Sequence, residues 1–151
     1  MDLYDEFFAF VGYLNKLGAR YAVVGGIALA FHGRPRFTRD IDLLLHPDDL
    51  GLAKMAFERL GYTETAEPWT FRENHLTLRR FLKICGEDEM MIDILLANTV
   101  DHQKMIEDAI ETPSETGMVR VASRQSLIDL KRVRNSNQDK ADIEALEHDT
   151  D

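Results

Sequence analysis

Residues 21–45 read YAVVGGIALAFHGRPRFTRDIDLLL, with an apolar run at each end and a polar segment between them. The first run, YAVV at 21–24, predicts a short buried strand. Gly25-Gly26 predicts the turn out of that strand, and IALAFH after it predicts a helix. The second run predicts another strand over 41–45. The stretch therefore indicates a strand, a helix and a second strand at the centre of the fold.

Two carboxylates, Asp40 and Asp42, stand at the start of the second strand. Side chains alternate along a strand, so these two lie on one face while the apolar residues between and after them point the other way. Two anions this close raise one another's pKa unless a cation intervenes. Magnesium takes carboxylates and substrate phosphates as ligands, so the pair predicts a metal site. The alternative is a solvated strand whose aspartates pair with Arg36 and Arg39.

Two further features favour a site that binds phosphate and metal. Gly25-Gly26 lets a ligand approach the backbone, and the helix that follows offers free N–H groups to an anion. Asp93 is a lone carboxylate in the apolar segment MMIDILLA at 90–97, where an unpaired charge is costly. The alternatives are an ordinary tight turn and a strand-edge aspartate that reaches water.

Basic residues lie between the predicted helix and the second strand, at Arg34, Arg36 and Arg39. Arginine forms charge-assisted, often bidentate hydrogen bonds with phosphate oxygens. This set is therefore suited to the oxygens of a triphosphate.

The rest of the chain predicts helices and strands that complete an α/β (α+β) fold, a sheet flanked by helices. We expect one domain over residues 1–151, with a core at about 20–97 and a helical part at about 100–148. A hairpin is indicated by two apolar strands around GED, with Arg79 and Arg80 on an exposed face. The predicted helices are 3–17, 48–60, 101–111, 123–134 and one from about Asp139; the predicted strands are 75–85, 90–97 and 118–122.

Composition limits the classes of function. The 151 residues carry a formal net charge of −9, so any contact with nucleic acid must be local or at a strand end. The single cysteine, Cys85, excludes a disulfide within the chain and is expected to be a small buried apolar group. No apolar run approaches the roughly 18 residues of a membrane span, so we expect a cytoplasmic protein with no membrane partner.

The order of these motifs resembles the nucleotidyltransferase superfamily of the DNA polymerase beta type. The pattern is an apolar strand, Gly25-Gly26, thirteen intervening residues, Asp40-Ile-Asp42, and Asp93 on a later strand. The segment GGIALAFHGRPRFTRDIDLLL is similar in sequence to the corresponding segment of small bacterial nucleotidyltransferases, including abortive-infection toxins of toxin–antitoxin systems.

The resemblance implies a chemistry and a role for each motif. Gly25 and Gly26 would bind nucleotide phosphates, and Asp40 and Asp42 would hold two Mg²⁺ ions, with Mn²⁺ as an alternative. Asp93 would complete the metal site and act as, or assist, the base. A hydroxyl would attack the α-phosphorus of a nucleoside triphosphate and pyrophosphate would leave. The acceptor stays open between a tRNA or other RNA 3′ end, a protein and a small molecule, and an antitoxin partner is possible.

The C-terminal segment SLIDLKRVRNSNQDKADIEALE resembles the last motif of these relatives. Lys131 is the predicted triphosphate contact, with Asp139 or Asp142 orienting it or capping the next helix. The relatives carry Arg-Pro-Lys-Asp before that helix, whereas residues 136–139 here read Ser-Asn-Gln-Asp. The Arg and Lys side chains of that motif are absent here, so the contacts to the triphosphate would be made by Lys131 and the two arginines after it. The alternative function is a catalytically degenerate fold that binds a nucleotide or a partner.

Overall fold

The structure, a computed structural model, describes residues 1–34, 37–134 and 146. In this part of the chain there are five α-helices: α1 (Leu3–Leu17), α2 (Gly25–Phe31), α3 (Leu50–Leu60), α4 (Val100–Glu107) and α5 (Arg124–Arg134). A short 3₁₀ helix, Pro47–Asp49, leads into α3.

Eight strands in the same part of the chain form one mixed sheet. They are β1 (Tyr21–Val24), β2 (Asp40–Leu45), β3 (Thr63–Glu64), β4 (Trp69–Thr70), β5 (Thr77–Cys85), β6 (Asp88–Leu96), β7 (Ile110–Ser114) and β8 (Gly117–Val121).

The sheet has the order β3-β5-β6-β2-β1-β8-β7, and β4 pairs with β5 at one edge. At its centre, β2 runs antiparallel to β1 and parallel to β6. This arrangement confirms the predicted α/β (α+β) class. It also confirms the strand, helix and strand of residues 21–45 and the hairpin now seen as β5 and β6.

Local signals explain where the first helix begins and ends. The side chain of Asp2 accepts a 3.0 Å hydrogen bond from the N–H of Asp5, which caps the first turn of α1. Gly18 ends the helix in a left-handed conformation, with φ of 72°. The apolar face between these residues packs against α3 and the sheet.

A stack of three aromatic rings joins the helical layer to the sheet. The ring of Phe57 on α3 lies 4.4 Å from the ring of Phe10 on α1 and 3.9 Å from that of Phe81 on β5, centroid to centroid. All three side chains are buried. Because the stack supports the same β5 that carries Arg80 on its other face, core packing fixes one wall of the site described below.

Two sequence predictions are wrong. The helix predicted over 101–111 ends at Glu107, and Ile110–Ser114 instead forms β7, paired antiparallel with β8. Ile110–Ser114 is a strand because it has a pairing partner in β8, and Pro113 lies within it opposite Met118. Cys85 is exposed, because it ends β5 beside the turn at Gly86.

The final helix predicted from about Asp139 lies outside the described residues, apart from Leu146, which is helical and buried. None of the helices that the structure does describe is long and apolar enough to cross a membrane.

We predict that Phe57→Ala lowers the free energy of unfolding by about 3–5 kcal/mol, because it removes the central ring of the stack and leaves a cavity. Phe57 is 1% exposed, whereas Met55 on the same helix is 54% exposed. Met55→Ala should therefore change stability by no more than about 0.5 kcal/mol. Urea denaturation of both variants measures the difference, and equal losses would contradict the role of the stack.

Candidate active site

Four residues form a row across one face of the sheet. The strand register pairs Val24 with Asp42, Asp42 with Asp93, and Asp93 with Arg80. Residues paired in register point to the same face. The sheet therefore brings together two aspartates that lie fifty-one positions apart in the sequence.

A cavity of about 500 Å³ lies over this row, between the sheet and α5. Its polar side includes Asp40, Asp42, Asp93 and Arg80, with Gly25 at one end. Its remaining wall is largely apolar and is formed by Phe71, Leu76, Leu78, Leu95, Leu127 and Leu130. This size and this mixture of a few polar groups with an apolar wall are typical of small-molecule sites.

The two glycines allow α2 to approach β2 closely. Gly25 has φ of 72°, and a Cβ built on it would lie 2.3 Å from Oδ2 of Asp42. A Cβ on Gly26 would lie 2.8 Å from Cβ of Thr38. Gly25 lines the cavity, whereas Gly26 is buried against Thr38. Close packing explains both glycines, and only Gly25 is placed at the cavity itself.

The predicted carboxylate pair lies at the start of β2 and faces the cavity. Asp40 is exposed and Asp42 is half-buried. The hydroxyl of Thr38 accepts from the N–H of Asp40 and donates to its carbonyl oxygen, both at 3.2 Å, which fixes the backbone where the strand begins. Ile41 and Leu43, on the opposite face, are fully buried as predicted.

Asp93, which the sequence places alone among apolar residues, is paired with a cation in the structure. It is 8% exposed, and Arg80 donates to it twice, from Nε to Oδ1 at 2.9 Å and from Nη2 to Oδ2 at 3.0 Å. These hydrogen bonds raise the pKa of the Arg80 guanidinium, and the charges of Asp40 and Asp42 act in the same direction. The buried carboxylate therefore has its counter-charge within hydrogen-bond distance.

The partnership of Arg80 with Asp93 was not predicted, because it depends on the exact register of the hairpin. Cys85 and Asp88 flank the hairpin turn, and counting outward from that pair along both strands places Arg80 opposite Asp93. Arg80 does lie at an exposed position, as predicted, but the predicted turn GED does not define the register that sets it opposite Asp93.

The donor set fits a hard divalent cation that also binds substrate phosphates. Asp40 and Asp42 offer carboxylate oxygens on one face, and Mg²⁺ commonly uses one or two carboxylates with phosphates and water completing its shell. Within residues 1–34 and 37–134 there is no group of three His, Cys, Asp or Glu side chains that could hold a metal ion by itself. Both oxygens of Asp93 accept from Arg80, so a metal ion bound by Asp93 would share an oxygen with the guanidinium.

The predicted phosphate contacts are only partly described. Arg39 is exposed and directly precedes Asp40, with its guanidinium carbon 5.7 Å from the ring centroid of the exposed Phe37. Arg36 lies outside the described residues, as do residues 136–139 and Asp142. Lys131 lies in α5, four residues after Leu127, and its side chain is outside the described part.

The loop between β4 and β5 supplies a polar group, Asn74, that was not predicted from the sequence. Oδ1 of Asn74 accepts a 3.0 Å hydrogen bond from the N–H of Leu76. A backbone N–H can only donate, so the other end of the amide is the NH₂ group, a donor at the cavity wall.

The same loop is tightly held. The N–H of Phe71 donates to the carbonyl of Leu76 at 2.9 Å, and Asn98 donates to the carbonyl of His75 at 2.8 Å. His75 has a positive φ of 63°, which is uncommon for a non-glycine residue. Nothing in the sequence of this loop reveals that it closes on a cavity, because its anchor, Asn98, comes from beyond β6.

Comparison with known structures places the fold among nucleotidyltransferases. A putative nucleotidyltransferase from Thermotoga maritima aligns with a TM-score of 0.65 at 13% identity, over 91% of this chain and 90% of that one. The lincosamide antibiotic adenylyltransferase LnuA, bound to lincomycin, aligns with a TM-score of 0.62 at 15% identity, over 97% of each chain. ANT(2")-Ia in complex with adenylyl-2"-tobramycin aligns with a TM-score of 0.61 at 17% identity, over 94% of this chain and 86% of that one.

The family is more specific than the fold. Residues 11–142 match the family described as nucleotidyl transferase AbiEii toxin, type IV toxin–antitoxin system, and the chain belongs to this family. The resemblance inferred from residues 21–45 and Asp93 is thereby confirmed. No curated protein sequence is significantly similar to the chain.

We predict that Gly25→Ala damages the site more than backbone strain alone explains. Gly18 is a matched control, because its φ is also 72° but a Cβ there would meet nothing within 4 Å. Gly18→Ala should cost about 1–2 kcal/mol, the strain of a left-handed residue. Gly25→Ala should cost about 1–3 kcal/mol more, because the methyl group must displace the carboxylate of Asp42. Chemical denaturation of both variants measures the difference, and equal costs would contradict the close contact.

Proposed function

We propose that the protein is a metal-dependent nucleotidyltransferase that moves a nucleoside monophosphate from a nucleoside triphosphate to a hydroxyl group. The observation that carries this proposal is the joint placement of Asp40, Asp42 and Asp93 with the bare backbone of Gly25 in one cavity. Membership of a nucleotidyltransferase family supports it. The carboxylates would coordinate the metal. Gly25, which has no side chain, would leave room for the phosphates that the same metal also coordinates.

Asp40 and Asp42 would hold the metal, in the form of two Mg²⁺ ions or Mn²⁺. When bound, the metal would stabilise charge on both the attacking and the leaving oxygen. The phosphates would lie against Gly25 and the start of α2, where Val24, the N-cap residue, makes no side-chain hydrogen bond to the helix. Arg36, Arg39 and Lys131 are the proposed additional phosphate contacts.

Asp93 would serve the acceptor hydroxyl. It lies beside Asp42 in the sheet and is held by Arg80, so a carboxylate oxygen would be placed to accept the proton of the attacking hydroxyl. Each carboxylate oxygen has more than one lone pair, so its hydrogen bond to Arg80 leaves room for that proton.

The position of the acceptor follows from the geometry of the reaction. In an in-line displacement the attacking and leaving oxygens lie on opposite sides of the phosphorus. If pyrophosphate leaves on the side of Gly25, the acceptor enters from the side of Asp93 and Arg80. That side is bounded by the loop of Phe71 and Asn74 and by apolar residues of β5 and β6. The part of the acceptor next to its hydroxyl would therefore be largely apolar, with one atom that accepts a hydrogen bond from Asn74.

The biological role is proposed from the family alone. The description of the family as a toxin of a type IV system suggests that this chain acts on a cellular hydroxyl acceptor and has an antitoxin partner. An RNA 3′ end, a protein and a small molecule are the acceptor classes to be compared.

We predict that the protein transfers label from one or more α-³²P-labelled nucleoside triphosphates, in the presence of Mg²⁺, to total RNA, to protein or to the small-molecule fraction of a lysate. Asp42→Asn should reduce transfer by at least about 100-fold, because a charge that holds the metal is lost. Separate assays of the three fractions identify the acceptor class.

Asp101→Asn is the control for that experiment, since Asp101 is exposed in the first turn of α4. It should transfer label as the wild type does. Equal transfer by wild type and Asp42→Asn would contradict the assignment of the site. Absence of transfer from all four nucleotides would favour the alternative, a degenerate fold that binds a nucleotide or a partner without turnover.

We predict that Asn74→Asp lowers kcat/KM for the acceptor that receives the label by about 10- to 100-fold. The substitution replaces a hydrogen-bond donor that faces the acceptor with a charged group that only accepts hydrogen bonds. Nucleotide affinity, measured by calorimetry, should stay unchanged. Glu73→Gln, at an exposed position of the same loop, is the control. A weaker nucleotide affinity in Asn74→Asp would show that the amide contacts the nucleotide instead.

A further inference from the structure

The pairing of Arg80 with Asp93 places a fixed cation inside a site made of carboxylates. The guanidinium side chain is 43% exposed and the carboxylate side chain 11%, and both residues line the cavity. Among the charged residues at its wall, three are aspartates and one is this arginine, which leaves two net negative charges. Arg80 therefore compensates part of the charge that a metal would otherwise neutralise.

The neighbouring residue, Arg79, forms an ion pair of the same type, but that pair lies away from the cavity. Arg79 also donates twice to a carboxylate, from Nε at 2.8 Å and Nη2 at 2.7 Å to the two oxygens of Glu64. Because side chains alternate along β5, this pair lies on the opposite face of the sheet. Two consecutive arginines thus make the same type of contact, and only one of them faces the cavity.

Arg80 and a divalent metal make competing demands on the same carboxylates. The guanidinium uses both oxygens of Asp93, in the bidentate geometry that arginine prefers. A metal that drew Asp93 into its shell would take over or share one of these oxygens. Two cations in a partly buried site also repel one another, and this repulsion is stronger than it would be in bulk water.

We propose that Arg80 is a positioning residue that holds Asp93 and opposes metal binding, so that the site has a low affinity for a free divalent cation. This inference rests on the metal site of the proposed function. A triphosphate brings negative charge that relieves the repulsion between metal and guanidinium. Metal and nucleotide should accordingly bind more tightly together than either does alone.

Mn²⁺ alone is the probe that tests this, with free Mn²⁺ measured by electron paramagnetic resonance during titration of the full chain. Arg80→Gln should bind Mn²⁺ about tenfold more tightly than wild type, because the competing charge is gone. Arg79→Gln, the matched control on the opposite face, should bind as wild type does. Arg80→Lys keeps the charge and loses the bidentate contact, so its affinity should stay closer to wild type than that of Arg80→Gln.

A second measurement uses the wild type and does not depend on how a variant folds. In ¹⁵N NMR spectra, the Nε–H resonance of Arg80 should shift on addition of Mg²⁺, while that of Arg79 should not. An unmoved Arg80 resonance at saturating metal would overturn the proposal.

The outcomes separate this inference from the proposed function. If Asp42→Asn loses Mn²⁺ binding and Arg80→Gln binds no more tightly than wild type, the role of Arg80 is refuted and the metal site stands. If wild type and Asp42→Asn bind Mn²⁺ equally, the metal site itself is refuted, and the role of Arg80 with it.

Discussion

The approach of Gly25 to the carboxylate of Asp42 is the contact on which the geometry of the site depends. A Cβ at Gly25 would lie 2.3 Å from Oδ2, so no other residue could hold α2 at this distance from β2 without moving the carboxylate. Gly26 meets Thr38 in the same way, and Thr38 in turn fixes the backbone of Asp40. The start of the helix, the start of the strand and the carboxylate pair are therefore parts of one packing arrangement.

The sheet sustains a charged region at the ends of β2 and β6 because the opposite face of these two strands packs into the apolar core. Ile41, Leu43 and Ile92 are fully buried on that side, and burial of such side chains is the main favourable term in folding. Leu44, two residues beyond Asp42 on the charged face, is also fully buried. The polar region is thus confined to one end of the strands, and the destabilising effect of its carboxylates is offset by the core around it.

The negative charge of one of the three aspartates in the site, Asp93, is compensated by a cation of the same chain. Asp93 is too buried to remain a bare anion at low cost, and Arg80 supplies the counter-charge from the neighbouring strand. Breaking such a pair destabilises the protein, because removal of either partner leaves the charge of the other uncompensated in a cavity with apolar walls. The same pair connects structural stability with the chemistry proposed for the site.

Local patterns in the sequence determined α1, the strands of residues 21–45, the β5–β6 hairpin and the two carboxylate positions, because periodicity, capping residues and glycine act over a few residues. The motif order also indicated the family. The end of α4, strand β7 and the exposure of Cys85 could not be obtained in this way, since each depends on a pairing partner or on its position in the sheet. Only the tertiary structure decided that Arg80 holds Asp93 and that Asn74 faces the cavity. Both depend on side chains brought together by strand register and loop anchoring, which couple residues distant in sequence.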